Sequence, residues 1–172
     1  MLIRREQAGD AAGIRDVHAS AFAATSEAGT EPVEVGLVDA LRESDAWLPQ
    51  LAFVALRDAQ IIGHVVCTRG KVGDTPALAL GPIGVNARVQ SGGIGSALMR
   101  TVLGAADALD EPLIALLGHI DYYPRFGFRL AAEFGITPPD PTWAPNFMVL
   151  PLHGYDPTMR GEFSYPAAFM NL

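Results

Sequence analysis

Between Val85 and Leu98 the chain reads Val-Asn-Ala-Arg-Val-Gln-Ser-Gly-Gly-Ile-Gly-Ser-Ala-Leu. Gln90, Ser91, Gly92, Gly93, Ile94, Gly95 and Ser96 join an apolar run to the start of a helical pattern. A helix N-terminus leaves backbone N–H groups unpaired, and the macrodipole adds partial positive charge there. Glycines remove the Cβ atoms that would hold an anion away from those donors. The segment therefore has the makings of a phosphate cradle that needs no lysine. A Walker loop would require Gly-Lys-Ser/Thr, but Lys71 is the only lysine in the chain. A dinucleotide fingerprint would require glycine where Leu98 stands, followed by a parallel βαβ unit. Neither pattern is met. A structural turn whose glycines serve only packing is the competing reading.

A second group of residues lies about thirty positions on: Tyr122-Tyr123-Pro124-Arg125-Phe126-Gly127-Phe128. Gln90-Ser91-Gly92-Gly93-Ile94-Gly95 resembles the Gln/Arg-x-x-Gly-x-Gly/Ala signature of the Gcn5-related N-acetyltransferase (GNAT) superfamily. The later group resembles that superfamily's Tyr-x-x-x-Gly-Phe motif after the fifth strand. The runs from Leu117 to Phe128 and from Gly161 to Phe169 are similar to the YhbS-like branch. The resemblance follows the order of elements from Leu2 to about Leu152. It implies an α+β fold in αβα layers, with a mixed, largely antiparallel sheet splayed between its fourth and fifth strands. It also implies acetyl-CoA as co-substrate, with its pyrophosphate on the Gln90–Ser96 loop. The interrupted run Leu80–Val85 is similar to the family's bulged fourth strand, where backbone at Ile83, Gly84 and Val85 would polarise the thioester carbonyl. Tyr123 takes the place of the tyrosine that protonates the departing thiolate, a role that an ordinary phenol pKa near 10 would suit.

The resemblance leaves the base and the acceptor open. His119, just after the fifth strand, is a candidate base or a histidine that shapes its loop. Asp121 serves equally as a helix cap or as a catalytic carboxylate. His64, His18 and His153 read as structural, and four histidines so scattered form no metal constellation. Gln90 either meets a phosphate oxygen or braces the loop, and Arg88 and Arg100 are candidates for the nucleotide 3′-phosphate. Acceptor contacts are expected from residues 24–32 and 131–145, where Glu27, Glu31 and Glu133 could attract a small-molecule amine or a protein amino group. The alternative is a non-catalytic acyl-CoA sensor or assembly module on the same fold. A homodimer is compatible with the sequence.

These residues need a scaffold, and periodicity outlines one. Leu2–Glu6 reads as a strand. Asp10 is placed to cap a helix bearing Ile14, Val17, Ala21 and Phe22, and Val33, Leu37, Val38 and Leu41 form a second stripe. Strands follow at Leu51–Arg57 and Gln60–Thr68, joined by an Asp58-Ala59 turn, and then at Ala77–Val85 after a turn over residues 70–76. Ile94, Leu98, Val102, Ala105 and Leu109 predict a helix, Leu113–Leu117 a buried strand, and Tyr122–Phe126 a short helix ended by Gly127. A further strand starts at Phe128, and Asn146–Leu152 is the last clear one. The whole chain, 1–172, reads as one domain, with a core over about 2–152 and an irregular aromatic tail over 153–172.

Composition agrees with that scaffold. Of 172 residues, 49% are hydrophobic, enough for a sizeable core. The formal net charge of −7 with no basic cluster argues against nucleic-acid binding. No apolar run approaches membrane-spanning length, so no membrane partner is expected. The single cysteine, Cys67, excludes an intramolecular disulfide framework and fits a cytoplasmic setting.

Overall fold

Residues 52–55, 62–68, 77–80 and 113–116 are buried in unbroken runs, and since successive strand side chains point to opposite sides, both faces of the sheet are covered. The computed structural model describes residues 1–171. In chain order the strands are β1 (Leu2–Arg5), β2 (Ala52–Arg57), β3 (Gln60–Val72), β4 (Thr75–Val85), β5 (Leu113–Leu117), β6 (Arg129–Leu130), β7 (Ile136–Thr137), β8 (Phe147–Pro151) and β9 (Gly161–Ser164). The helices are α1 (Ala11–Phe22), α2 (Val33–Arg42), α3 (Ile94–Ala108) and α4 (Ala167–Met170). The main sheet runs β1-β2-β3-β4-β5-β8-β6, with β9 pairing β3 and β7. The ladders are antiparallel except where β4 meets β5 and where β7 meets β9. On one face Phe53, Ala55, Leu78, Leu80, Ile114, Leu116 and Met148 pack under Ile94, Leu98, Met99 and Val102 of α3. On the other face Val54 meets Ile14 of α1 and Val38 of α2. Further along that face Ala77, Ala79, Leu113, Ala115 and Val149 pack with Phe147 and Phe163. These are the αβα layers of the expected α+β class.

The contact between β4 and β5 is short. Only Leu78↔Ile114 and Ala79↔Ala115 are in register. Beyond Ala79, β4 turns away because Gly81 takes φ +140° and Pro82 has no N–H to donate. Opposite, Val65 pairs with Ile83 but Cys67 pairs with Leu80, so Gly81 and Pro82 together face Val66. That is a bulge. Meanwhile β5 keeps its partner on the other side through Leu117↔Phe147. The expected splay between the fourth and fifth strands is thus a gap opened by one bulge.

A chain of buried polar groups fixes α1 over β4. His18 and His64 are both fully buried. His18 Nε2 lies 2.9 Å from His64 Nδ1, and His64 Nε2 lies 3.1 Å from Glu6 Oε2. A carboxylate only accepts, so His64 donates from Nε2 and must accept at Nδ1 from His18 Nε2. Arg42 Nε completes the chain by donating to Glu6 Oε1 at 2.7 Å. Burial works to raise the Glu6 pKa, but the hydrogen bonds from His64 and Arg42 outweigh it and hold the group below its usual range. The two histidines, read singly as structural, are one network.

Several expectations shift. Asp10 does not cap α1; it accepts from Gln7 N at 2.7 Å and forms a two-pronged ion pair with Arg4. Strands β3 and β4 extend to a tight turn at Gly73-Asp74, so Gly70 lies inside a strand. Leu109 falls outside α3 and is exposed, while Ala106 is buried in its stead. The strand expected from Phe128 is the two-residue β6. The aromatic tail is not irregular. Its β9 pairs Lys71↔Ser164 and Val72↔Phe163. A Cβ on Gly70 would lie 2.6 Å from the Phe163 ring, so glycine there admits the strand. Among the described residues no helix is long and apolar enough to cross a membrane.

The Asp58-Ala59 hairpin is confirmed, with φ of 50° and 63° in a two-residue turn between Arg57 and Gln60. Alanine is a poor residue for that left-handed position. Ala59→Gly should raise stability by about 1 kcal/mol, read as a higher urea midpoint with unchanged slope.

Burial first, then His64 and Arg42, lowers the His18 pKa from 6.5 to about 3. The unfolded chain therefore takes up a proton below pH 6.5 that the folded chain refuses until about pH 3. Stability is fully present above the unfolded value and falls as pH drops below it. Acidification from about pH 7.5 to about pH 5 should cost roughly 2 kcal/mol through His18 alone. Urea midpoints at the two pH values check this, and His18→Gln should flatten the slope.

Candidate active site

The bulge that parts β4 from β5 also turns the end of β4 toward the glycine loop. Residues 87–89 form a 3-10 turn capped by Asn86, whose Oδ1 accepts from Arg88 N at 3.1 Å. Ser91 and Gly93 then take left-handed φ of 66° and 77°, which reverses the chain into α3. The first intrahelical bond there is Ala97 N to Gly93 O at 3.0 Å. The amides of Ile94, Gly95 and Ser96 thus have no acceptor within the helix, and they point into the space beyond its N-terminus.

That space is a cleft of about 610 Å³. Of the residues named from the sequence, Ile83, Gly84, Val85, Gln90, Ser91, Gly93, Ile94, Gly95 and Ser96 line it, whereas Gly92 does not. Gln90 donates from Nε2 to Val85 O at 3.0 Å, so its amide braces the loop against β4. At Gly95 a Cβ would lie 3.2 Å from Tyr122 Oη, so the approach to the helix start is narrow. The donors are backbone amides and glycines line the opening, an arrangement that can take an anionic group such as a phosphate. Gly84 has a second function. A Cβ there would lie 2.8 Å from His18 Nδ1, so the glycine lets α1 sit directly on the cleft floor. That Nδ1 is buried without a hydrogen-bond partner.

A second cavity of about 510 Å³ adjoins the cleft, with Phe22 and Ile83 lining both. Tyr123 belongs to this cavity, beside Leu80, Gly81 and Pro82 in the splay. A Cβ on Gly118 would come within 2.3 Å of the Tyr123 ring, so the glycine after β5 is what seats that ring. Burial, then the neighbouring Tyr122, pushes the Tyr123 phenol up to about 12 rather than leaving it near the ordinary 10. It stays a neutral donor over the whole physiological range.

Other expected residues fall elsewhere. His119 is exposed and lines neither cavity; its carbonyl accepts from Tyr122 N at 3.0 Å. Asp121 makes no side-chain cap to the turn at Tyr123–Phe126. Arg88 and Arg100 are exposed and line neither cavity, and Arg100 lies over the Phe126 ring at 5.8 Å. Glu31 pairs with Arg15, Glu133 pairs with Arg129, and Glu27 is exposed, so none of the three lines the second cavity. The basic group at the cleft is Arg125, held by Nε donation to Tyr122 O at 2.9 Å and stacked 4.5 Å over the Tyr122 ring. Arg125 and Tyr122 stand inside a motif read only for Tyr123. Phe22 was legible as the last apolar residue of α1. Nothing local marks Trp143, Tyr165 or Phe169 as cavity walls, because tertiary docking of the tail brings them there. Among the described residues no cluster of His, Cys, Asp or Glu could hold a metal.

Comparison with known proteins agrees with this fold. The model of the acetyltransferase (GNAT) family matches residues 19–128, more than half of the chain. The uncharacterized N-acetyltransferase YjhQ of Escherichia coli K12 is 33% identical over 138 residues, covering 77% of this chain and 72% of YjhQ. A GNAT-family acetyltransferase from Brucella melitensis, solved with acetyl-CoA, superposes with a TM-score of 0.78 at 32% identity, covering 98% of this chain and 97% of that one. YhbS of Escherichia coli, solved with CoA, superposes with a TM-score of 0.88 at 27% identity, covering 98% and 91%.

Gly95→Val should weaken CoA binding by about tenfold or more, since the side chain would fill the approach to the amides. Arg125→Ala should weaken it roughly threefold to tenfold at low salt and less at high salt. Calorimetric titration at two ionic strengths checks both.

Proposed function

The chain belongs to the acetyltransferase (GNAT) family, in its YhbS-like branch, and from this premise we propose that it transfers an acetyl group from acetyl-CoA directly to an amine. The observation that carries the proposal is the meeting of two cavities at Ile83, one at the start of α3 and one lined by the splay of β4 and the turn after β5. Acetyl-CoA supplies the acyl group as a thioester: the amine lone pair attacks the carbonyl carbon, the C–N bond forms, the C–S bond breaks, and amide and CoA thiol result. Backbone amides of Ile94, Gly95 and Ser96 hold the pyrophosphate, with Arg125 adding charge at the cleft. Main-chain groups of Ile83, Gly84 and Val85, freed by the splay, are positioned to polarise the carbonyl.

Tyr123 lines the second cavity with Ile83, from the turn after β5. With its pKa near 12, it stabilises the departing sulfur by donating a hydrogen bond, while the proton released by the amine balances the one the thiolate gains. His119 is no longer the base of choice, because it lies outside both cavities. The amine proton leaves through water in the second cavity, which opens on the splay.

Thiol release with acetyl-CoA and a broad amine panel tests the proposal. Turnover with at least one amine is expected, and Tyr123→Phe should lower kcat roughly tenfold to a hundredfold with little change in the KM for acetyl-CoA. Acetyl-CoA binding without turnover of any amine would instead favour a non-catalytic acyl-CoA-binding module.

A further inference from the structure

The second cavity has a composition that selects among amines. Five of its wall residues are aromatic: Phe22, Tyr123, Trp143, Tyr165 and Phe169. They come from α1, the turn after β5, the connection before β8 and the C-terminal segment. The rings brace one another, with Trp143 and Tyr165 edge-on at 6.1 Å and Tyr165 and Phe169 at 5.0 Å. The lining contains one charged side chain, Glu34, in the first turn of α2. Glu34 is half-buried, and among the described residues it has no hydrogen bond or ion pair. The neighbouring acids differ: Glu31 and Asp39 both engage Arg15. No basic side chain lines the cavity.

We infer that this chamber is the acceptor site and that it selects a primary monoamine carried on an aromatic or bulky apolar body, with Glu34 as the specificity-determining residue for its ammonium. The inference rests on the acetyl-transfer reading only for what happens to the amine after it docks. An apolar, ring-lined wall gains from an aryl body, and rings beside a carboxylate favour an organic cation. A single carboxylate offers one countercharge. An amino acid would bring a carboxylate with no cation to meet it, and a diamine would bury a second ammonium with no anion. A volume of about 510 Å³ is in the range of small-molecule sites. Glu34 holds the ammonium form, and the nitrogen loses its proton to water before the free amine reaches the junction at Ile83.

The test has two arms on the intact protein. The first measures binding of 2-phenylethylamine by calorimetry to the CoA-loaded protein, for wild type, Glu34→Gln and Trp143→Ala. The expected result is saturable binding, weakened roughly tenfold or more by Glu34→Gln and severalfold by Trp143→Ala, with the CoA dissociation constant unchanged in both. The second compares kcat/KM for 2-phenylethylamine, phenylalanine, a linear diamine and a short peptide with a free N-terminus. The aryl monoamine should lead the others by about tenfold or more. Preference for the amino acid, the diamine or the peptide would overturn the inference, as would binding indifferent to Glu34→Gln. Glu34-dependent binding without turnover would uphold the chamber while sinking acetyl transfer. Turnover of other amines with no binding of the aryl amine would do the reverse.

Discussion

The separation of β4 from β5 is the constraint on which the molecule's working parts depend. A proline in β4 withdraws one ladder donor, and the bulge at Gly81-Pro82 turns the strand away after two paired positions. Backbone groups that would be spent on a neighbouring strand are thereby left for a ligand. The gap costs cohesion in the middle of the sheet, and the molecule restores it at both ends. Below the gap, Arg69 grips Glu111 through two hydrogen bonds of 2.7 and 2.6 Å. Above it, the turn after β5 folds Tyr122, Tyr123 and Phe126 against one another.

The same gap explains why polar groups are buried where they are. Helix α1 must lie close to β4 for Phe22 to reach both cavities, and Gly84 removes the side chain that would prevent it. Close packing alone would leave His18 a liability in an apolar layer. Its bond to His64, and through that residue to Glu6 and Arg42, gives the helix a fixed seat. Orientation of α1 is therefore set by a directional network, where apolar contacts alone would tolerate some sliding.

Much of this was legible in the residues because it is local. Hydrophobic periodicity marked β1 to β5 and the three long helices, and the Asp58-Ala59 turn needed only two letters. The loop that lines the cleft was legible too, since glycines before a helical stripe mark a turn into a helix start. Tyr123 was named for a role whose chemistry the fold then altered, because burial is not written beside a tyrosine. His119, Arg88 and Arg100 line neither cavity, and neither do Glu27, Glu31 and Glu133. Where an acidic loop side chain settles depends on which arginine it meets, as Glu31 meets Arg15 of α1 and Glu133 meets Arg129 four residues before it. The ordered tail was missed because β9 is held by pairing with β3, which no local pattern announces.

That tail has a consequence for the order in which the molecule is completed during synthesis. Every residue lining the larger cleft lies between Ala21 and Arg125, whereas the neighbouring chamber needs Tyr165, Phe169 and Met170. In a growing chain all of the cleft's lining residues are thus present about 45 residues, from Arg125 to Met170, before the last chamber wall is made. The lining of the cleft can therefore be complete before the chamber beside it closes.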